Sequence, residues 1–420
     1  VKIWRRWVMG SKFETRLLGE LCHEITVGFV GTMTNEYIEN GIPFLRSKNI
    51  EEYDVKWDDM KYVSSAFHKK LSKSVLKPGD VAIVRTGKPG TTCVIPNDLR
   101  EANCSDIVIA RVNNELLCPH YLSYFMNAMA HGQVNAHIVG AVQQHFNVSS
   151  AKKLEIPLPS RVKQTKIVQV LKTLDDKLKL NRQINQTLEQ MAQTLFKSWF
   201  VDFDPVVDNA LDAGFFEQDL GFSEELLHRV EVRKAVRESD NFKPLSEDIR
   251  RLFPNAFEEC AEPALGLGGW VPKGWKGQPI KTHCVKIQNG GTPSRSNSDY
   301  WDGGNIPWLT SGEVRQSIVT NVENTITDLG LQNSSAKWVS SYSTLVALYG
   351  ATAGEVSINV DPLTTNQAVC ALIPKESYCW FNYLQVRNKT IEMQNQAVGS
   401  AQQNISKRLV ENLIRSEEHT

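Results

Sequence analysis

Residues 85–92 read Arg-Thr-Gly-Lys-Pro-Gly-Thr-Thr, a glycine and lysine turn between two β-branched runs. The chemistry such a turn invites is phosphate binding. A phosphate-cradling loop needs a glycine to open it and a hydroxyl residue directly after Gly-Lys. Here Ala82 stands at the first glycine position and Pro89 follows Gly87-Lys88, so the loop fails both requirements. Asp204-Pro205 lies in Phe-Val-Asp-Phe-Asp-Pro-Val, which lacks the Asp/Asn-Pro-Pro-aromatic signature of amino-methyltransferases. The chain has no GxGxxG fingerprint and no nucleophile motif. His120, His131, His137 and His145 have no metal-ligand spacing and read as surface or loop residues. The eight cysteines form no CxxC pair, which argues against zinc and for reduced thiols in a cytoplasmic protein. No catalytic residue and no metal site are expected in this chain.

What remains is chemistry of binding. Arg46, Ser47, Lys48 and Asn49 follow an apolar run in GIPFLRSKNI, and Arg85 and Lys88 sit in the turn described above. Gln143-Gln144 recurs as Gln402-Gln403, and Thr310, Ser311 and Arg315 lie in or just after NIPWLTSGEV. Arginine and lysine side chains can pair with guanine edges, and glutamine and asparagine with adenine. Each such residue alone reads as a solvated surface group. Clustered beside turns, they read as a surface for double-stranded DNA.

Those clusters belong to a repeat. GIPFLRSKNI (41–50) faces NIPWLTSGEV (305–314), and VAIVRTGKPGTTCVI (81–95) faces TLVALYGATAGEVSI (344–358). ANCSDIVIARV (102–112) faces TTNQAVCALIP (364–374), and HYLSYFMN (120–127) faces FNYLQVRN (381–388). Last, GAVQQHFNVSSAKKL (140–154) faces GSAQQNISKRLVENL (399–413). Collinear blocks in one order make a duplicated domain, far longer than a solenoid unit. Each copy alternates β-branched runs with Gly, Pro and Asn turns and adds short helices, which predicts an α+β fold on a curved sheet.

Residues 161–200 contain neither glycine nor proline. Ile167, Leu171, Leu174, Leu178, Asn181, Asn185, Leu188, Ala192, Leu195 and Trp199 follow alternating steps of four and three. That period predicts a coiled-coil-type helix with these residues on its pairing face, and the two asparagines as register-setting interruptions. At about 1.5 Å per residue the helix spans roughly 60 Å. The formal net charge of zero divides into +3 for 1–160, +5 for 161–200, −9 for 201–262 and +1 for 263–420. The expected order is a first recognition domain (1–160), a spacer helix (161–204), an acidic linker or extension (205–270) and a second recognition domain (271–420). The second copy shows no long helix of its own, so a C-terminal truncation is expected, with Arg415–Thr420 as translated adapter. Met9 is expected to be the natural start. No run approaches the ~18 apolar residues of a membrane span.

Together GIPFLRSKNI, LEIPLPS before the long helix, SWFVDFDPVVDNA, LSEDIRRLFPNAF, LGGWVPKGW and NIPWLTSGEV resemble the DNA-specificity subunit of type I restriction-modification systems, over nearly the whole chain. The resemblance implies two target-recognition domains that each read half of a split DNA sequence, with helices setting the gap. It also implies partners: two modification subunits that methylate adenine with S-adenosylmethionine, and restriction subunits that translocate and cleave with ATP and Mg. This chain would carry none of those cofactors. Other readings are a specificity subunit of another restriction class with a fused nuclease-methylase partner, a catalytic DNA methyltransferase, and a coiled-coil adaptor without a DNA role.

Overall fold

In the computed structural model of the chain, residues 13–33, 35–139, 145–261, 266–397 and 404–418 are described. They form two compact units, residues up to 183 and residues from 184 onward. The boundary falls inside the long helix rather than at either of its ends.

The first unit is built from β1 (Cys22–Val27), β2 (Ile42–Leu45), β3 (Lys61–Val63), β4 (Val75–Leu76), β5 (Val81–Val84), β6 (Thr92–Val94), β7 (Ala102–Cys104) and β8 (Ile107–Val112). One sheet has the order β6-β5-β8-β1 and is antiparallel throughout. The other has the order β3-β2-β7-β4 beyond a short Tyr37–Ile38 edge, with β7 running parallel to β2. The pleat sends alternate side chains to opposite faces. Val81, Ile83, Val108 and Ala110 therefore pack towards helix α1 (Pro119–Met129), on Tyr121, Leu122 and Phe125. Ala82, Val84, Ile107 and Ile109 face the second core, on Leu45, Leu76 and Cys104. A strand buried on both faces reads as an unbroken apolar run, which is why VAIV and IVIA look as they do.

The second unit repeats this arrangement with β9 (Cys284–Asn289), β10 (Ile306–Leu309), β11 (Asn324–Ile326), β12 (Trp338–Val339), β13 (Thr344–Ala347), β14 (Val356–Asn359), β15 (Leu363–Thr365) and β16 (Val369–Pro374). Its sheets have the orders β14-β13-β16-β9 and β11-β10-β15-β12, and β15 again runs parallel to β10. Ile318–Val319 adds a further parallel strand beside β14. Val346, Cys370 and Leu372 pack towards helix α5 (Cys379–Asn388), while Leu345, Ala347, Val369 and Ala371 fill the other core. The α+β domain thus occurs twice, strand for strand. Residues Ile414–Glu418 form a strand paired with Trp275–Pro279, as Glu155–Pro157 pairs with Thr15–Leu17 in the first copy. The expected start at Met9 lies outside the described residues.

The long helix is α2 (Arg161–Phe200). Within the first unit, Ile167 and Val168 pack on the α1 side core. The Tyr124 hydroxyl donates to the Asp175 carboxylate, and Lys179 pairs with Asp54 at 2.5 Å. Burial, reinforced by Asp175, raises the Tyr124 phenol well above its ordinary range, so it keeps the proton it donates. Within the second unit, Glu189 accepts from Arg387 at 2.8 Å and from the Tyr383 hydroxyl at 3.3 Å. Phe196 and Phe200 lie on Phe381, with centroids 5.2 and 5.1 Å away.

Residues 205–270, expected as an acidic linker or extension, fold around an apolar core of their own. Helices α3 (Asp204–Asp212) and α4 (Glu224–Arg237) share an apolar core in which Phe203, Val206, Val207, Leu226, Val230, Phe257, Trp270 and Trp275 are buried. Asp204, Asp208 and Asp212 stand one turn apart on α3, and Arg229, Arg233 and Arg237 stand one turn apart on α4. Arg229 bonds Asp204 at 2.5 and 2.8 Å, Arg233 grips Asp208 with two bonds of 2.7 and 2.8 Å, and Arg237 bonds Asp212 at 2.5 Å. Every rung spans 25 residues, so the two helices run in the same direction. The aspartates of α3 form one rail of a ladder and the arginines of α4 the other. Phe203 holds a left-handed backbone (φ 53°) directly after α2. That conformation costs a side-chain-bearing residue roughly 1–2 kcal/mol, offset by a ring buried against Phe257 and Trp275. This explains the SWFVDFDPV stretch. Trp199, Phe200 and Phe203 fill the core, Ser198 bonds Asp204 at 2.7 Å, and Pro205 starts α3. No helix among the described residues is long and apolar enough to cross a membrane.

Candidate nucleic-acid interface

The strand-end loops flagged by the sequence become two tight turns. After β2, Ser47–Asn49 form one 3-10 turn, and after β10, Ser311–Arg315 form its counterpart. In the first, the Arg46 N–H donates to Asn49 Oδ1 at 3.1 Å, and Asn49 Nδ2 donates to the carbonyls of Lys56 and Asp58 at 3.2 and 3.3 Å. In the second, the Thr310 N–H and hydroxyl both donate to Glu313 Oε2 at 2.8 Å, while Glu313 Oε1 accepts from the Glu323 N–H. Asn49 and Glu313 are equivalent and both are buried. Asn49 was expected on the DNA side. The structure corrects that, because its amide is spent on backbone groups and its role is to shape the loop.

Around these turns the first copy gathers its charges on two carboxylates. Asp59 receives Lys48, Lys61 and Arg46, and the hydrogen bonds from Lys48 and then Lys61 hold its carboxyl below the usual range. Asp106, itself left-handed at φ 55°, accepts from Ser47 and Thr86 and lies 3.7 Å from Arg85. Arg85 also donates to the Phe146 carbonyl at 3.3 Å. The structure therefore brings Ser47 and Arg85 together, and separately Arg46 and Lys48. Lys88 is exposed at the tip of the adjoining turn. Gly87 and Gly90 carry that turn with φ of 83° and 90°, and a Cβ on Gly90 would meet Val134 at 2.9 Å.

In the second copy the Thr310 hydroxyl is committed to Glu313, Ser311 is half-buried and Arg315 is exposed without an ion pair among the described residues. Gln143, Gln144, Gln402 and Gln403 lie outside the described residues. The anchors Asp59, Asp106 and Glu313 were missed by sequence reasoning, which looked for donors and not for what orients them. The one available signal was that Asn49 and Glu313 occupy the same position in the two copies of the repeat.

On α2 the pairing face divides. Ile167 and Leu171 are half-buried on the first unit and Trp199 on the aromatic core, but Leu174, Leu178, Leu188 and Leu195 are 49–56% exposed. Asn181, Asn185 and Ala192 are exposed as well. Thiol chemistry is not offered anywhere nearby. None of the eight cysteines forms a disulfide, and burial pushes the Cys93 and Cys370 thiols up to about 12. Among the described residues no group of three His, Cys, Asp or Glu could hold a metal ion.

The family model for the type I restriction modification DNA specificity domain matches residues 10–190 and again residues 272–414. The HindI type I restriction enzyme specificity subunit of Haemophilus influenzae is 29% identical over 335 residues, covering 76% of this chain and 72% of that protein. The MjaIX specificity subunit of Methanocaldococcus jannaschii is 20% identical over 334 residues, covering 79% of this chain and 65% of that protein. Among solved structures, the type I restriction-modification S subunit from M. genitalium aligns over 97% of this chain and 85% of that one, at 11% identity and a TM-score of 0.47. With the family model matched once on each copy of the duplicated domain, this chain belongs to the type I restriction-modification DNA specificity family.

Proposed function

We propose that the chain reads a bipartite double-stranded DNA sequence, one half-site per recognition domain, and that α2 sets the gap between the halves. In this reading it has no catalytic residue. It directs adenine methylation by two modification subunits and cleavage by restriction subunits, which hold S-adenosylmethionine, ATP and Mg, in the cytoplasm. The exposed leucines of α2 are where partner helices dock. One observation carries the reading: the same eight-strand domain occurs before and after one 40-residue helix along the chain, with different residues on equivalent turns. A duplicated scaffold with divergent loops suits a split target, because loops carry specificity and scaffold geometry sets spacing.

Methylome sequencing of cells expressing this chain with its modification subunits tests the proposal. A single split adenine-methylated motif is expected. An S-adenosylmethionine complex of the isolated chain would instead favour the catalytic methyltransferase. Arg46, Lys48 and Arg85 are expected to hold DNA in the first half-site once their carboxylate partners exchange them. The triple alanine variant should lose methylation at least about tenfold. Phosphate contacts would weaken binding at all sequences and flatten its salt dependence, whereas base contacts would relax one half-site. Parent-level methylation of every target would rule the contact out.

A further inference from the structure

We infer that each recognition domain presents an arginine on an edge-to-face aromatic pair to DNA, and that in the second domain this arginine is Arg295. The inference rests on the reading of the chain as a DNA-specificity subunit and names a contact within it.

The aromatic pair is duplicated. Tyr37 and Phe44 meet edge to face at 6.0 Å and 68°, and Trp301 and Trp308 do the same at 5.0 Å and 89°. Each pair is seven residues apart, and both members recur 264 positions later. Phe44 and Trp308 hold the same place in the fold, opposite Asn103 on β7 and opposite Thr364 on β15, across the parallel strand pair. A guanidinium lies over Tyr37 in the first copy and over both tryptophans in the second. Arg46 is 5.9 Å from the Tyr37 ring, whereas Arg295 is 3.9 Å from Trp301 and 5.0 Å from Trp308.

The two arginines reach this common platform from opposite ends of the strand. Arg46 directly follows β2, at the position that Thr310 holds in the second copy. Arg295 comes from the loop before β10. That loop is pinned by the indoles themselves, because Trp301 Nε1 donates to the Ser294 carbonyl at 3.0 Å and Trp308 Nε1 to the Gly291 carbonyl at 2.9 Å. Trp308 is fully buried, so the platform is rigid.

The difference in bonding decides which arginine is poised. Arg46 donates to Asn49 and Asp59. Arg295 is exposed and has no ion pair among the described residues, although Asp299 and Asp302 lie in the same loop. Stacking fixes the plane of a guanidinium while leaving its five N–H donors around the rim. A flat donor fork, held in place by its faces alone, is the form in which arginine reads guanine or grips a phosphate. Both are DNA acceptors, and the experiment separates them. Delivery of the same group from different loops gives the two domains different reading positions on one scaffold.

The test is to express the chain with its modification subunits in a host lacking adenine methylation and to read the genome's methylated motif. A split motif from the parent chain supports the specificity reading; its absence defeats that reading whatever Arg295 does. Given the motif, Arg295→Ala should relax one or two positions in one half only, by about 5- to 150-fold, if the fork reads a base edge. If it grips a phosphate, methylation should fall at all sites, and the salt slope of binding to a duplex carrying the motif should drop by about one. Arg295→Lys keeps the charge without the flat stack. It should restore the phosphate arm and fail to restore the base arm; Arg295→Gln, which removes the charge, replaces the alanine variant should that one not fold. An unchanged motif, methylation level and salt slope in folded Arg295→Ala, or in folded Arg295→Gln, overturns the inference.

Discussion

Asp208→Ala is expected to destabilise the segment from Asp204 to Trp275 by about 3–5 kcal/mol, the usual cost of breaking a buried ion pair by removing one partner. Asp208 is buried at 7% exposure and is gripped by two nitrogens of Arg233, so the alanine variant strands a guanidinium whose side chain is only 15% exposed. Hydrogen exchange of α3 and α4, together with the urea midpoint, measures the loss. The double variant Asp208→Leu with Arg233→Met should recover most of it, because apolar groups of similar volume need no partner. A loss under about 1 kcal/mol would mean that the ladder is decoration on the aromatic core. The outermost rung has its own pH dependence. The hydrogen bond from Arg237, with Arg250 adding to it against burial, lowers the Asp212 carboxyl below its ordinary value. Its contribution is therefore present above the unfolded carboxylate range near pH 4 and lost as pH falls through the lowered value. The Asp212 side chain is 40% exposed, so solvent screening keeps that contribution small.

The second large effect concerns target spacing. A heptad inserted after Gln183, with a matching insertion in the partner helix, should lengthen the gap in the recognised sequence by about three base pairs. Seven residues at 1.5 Å add ~10 Å, and base pairs are spaced 3.4 Å apart. Seven residues also return the helix face to within roughly 20°, whereas one residue would turn it by about 100°. The insertion point is exposed. It lies between the contacts of Asp175 and Lys179 in the first unit and those of Glu189 and Phe196 in the second, so neither set is disturbed. Methylation at the original spacing should fall more than about 100-fold, because a half-site out of register forfeits several base pairs at ~1–3 kcal/mol each. Methylome sequencing reads both numbers, and an unchanged gap would refute the spacer role of α2.

The sequence by itself determined the duplication, the α+β class and the long helix, because each leaves a one-dimensional trace. The β-branched run VAIV before a glycine turn reads as a strand, and its counterpart TLVA 263 positions later repeats the signal. The four-and-three stepping from Ile167 to Trp199 can only be a helix, and it spans Arg161–Phe200 as the pattern requires. Tertiary structure decided what each polar residue does, because that depends on which group it meets. Asn49 looked like a base reader until its amide met the Lys56 and Asp58 carbonyls. Asp208 and Asp212 read only as part of an acidic linker or extension until Arg233 and Arg237 arrived from 25 residues away. Arg295 drew no reading from the sequence, and only the folded chain lays two tryptophans beneath it. Apolar periodicity is a property of neighbours along the chain, so sequence carries it. The partner of a charge is a property of neighbours in space, and only the folded chain supplies it.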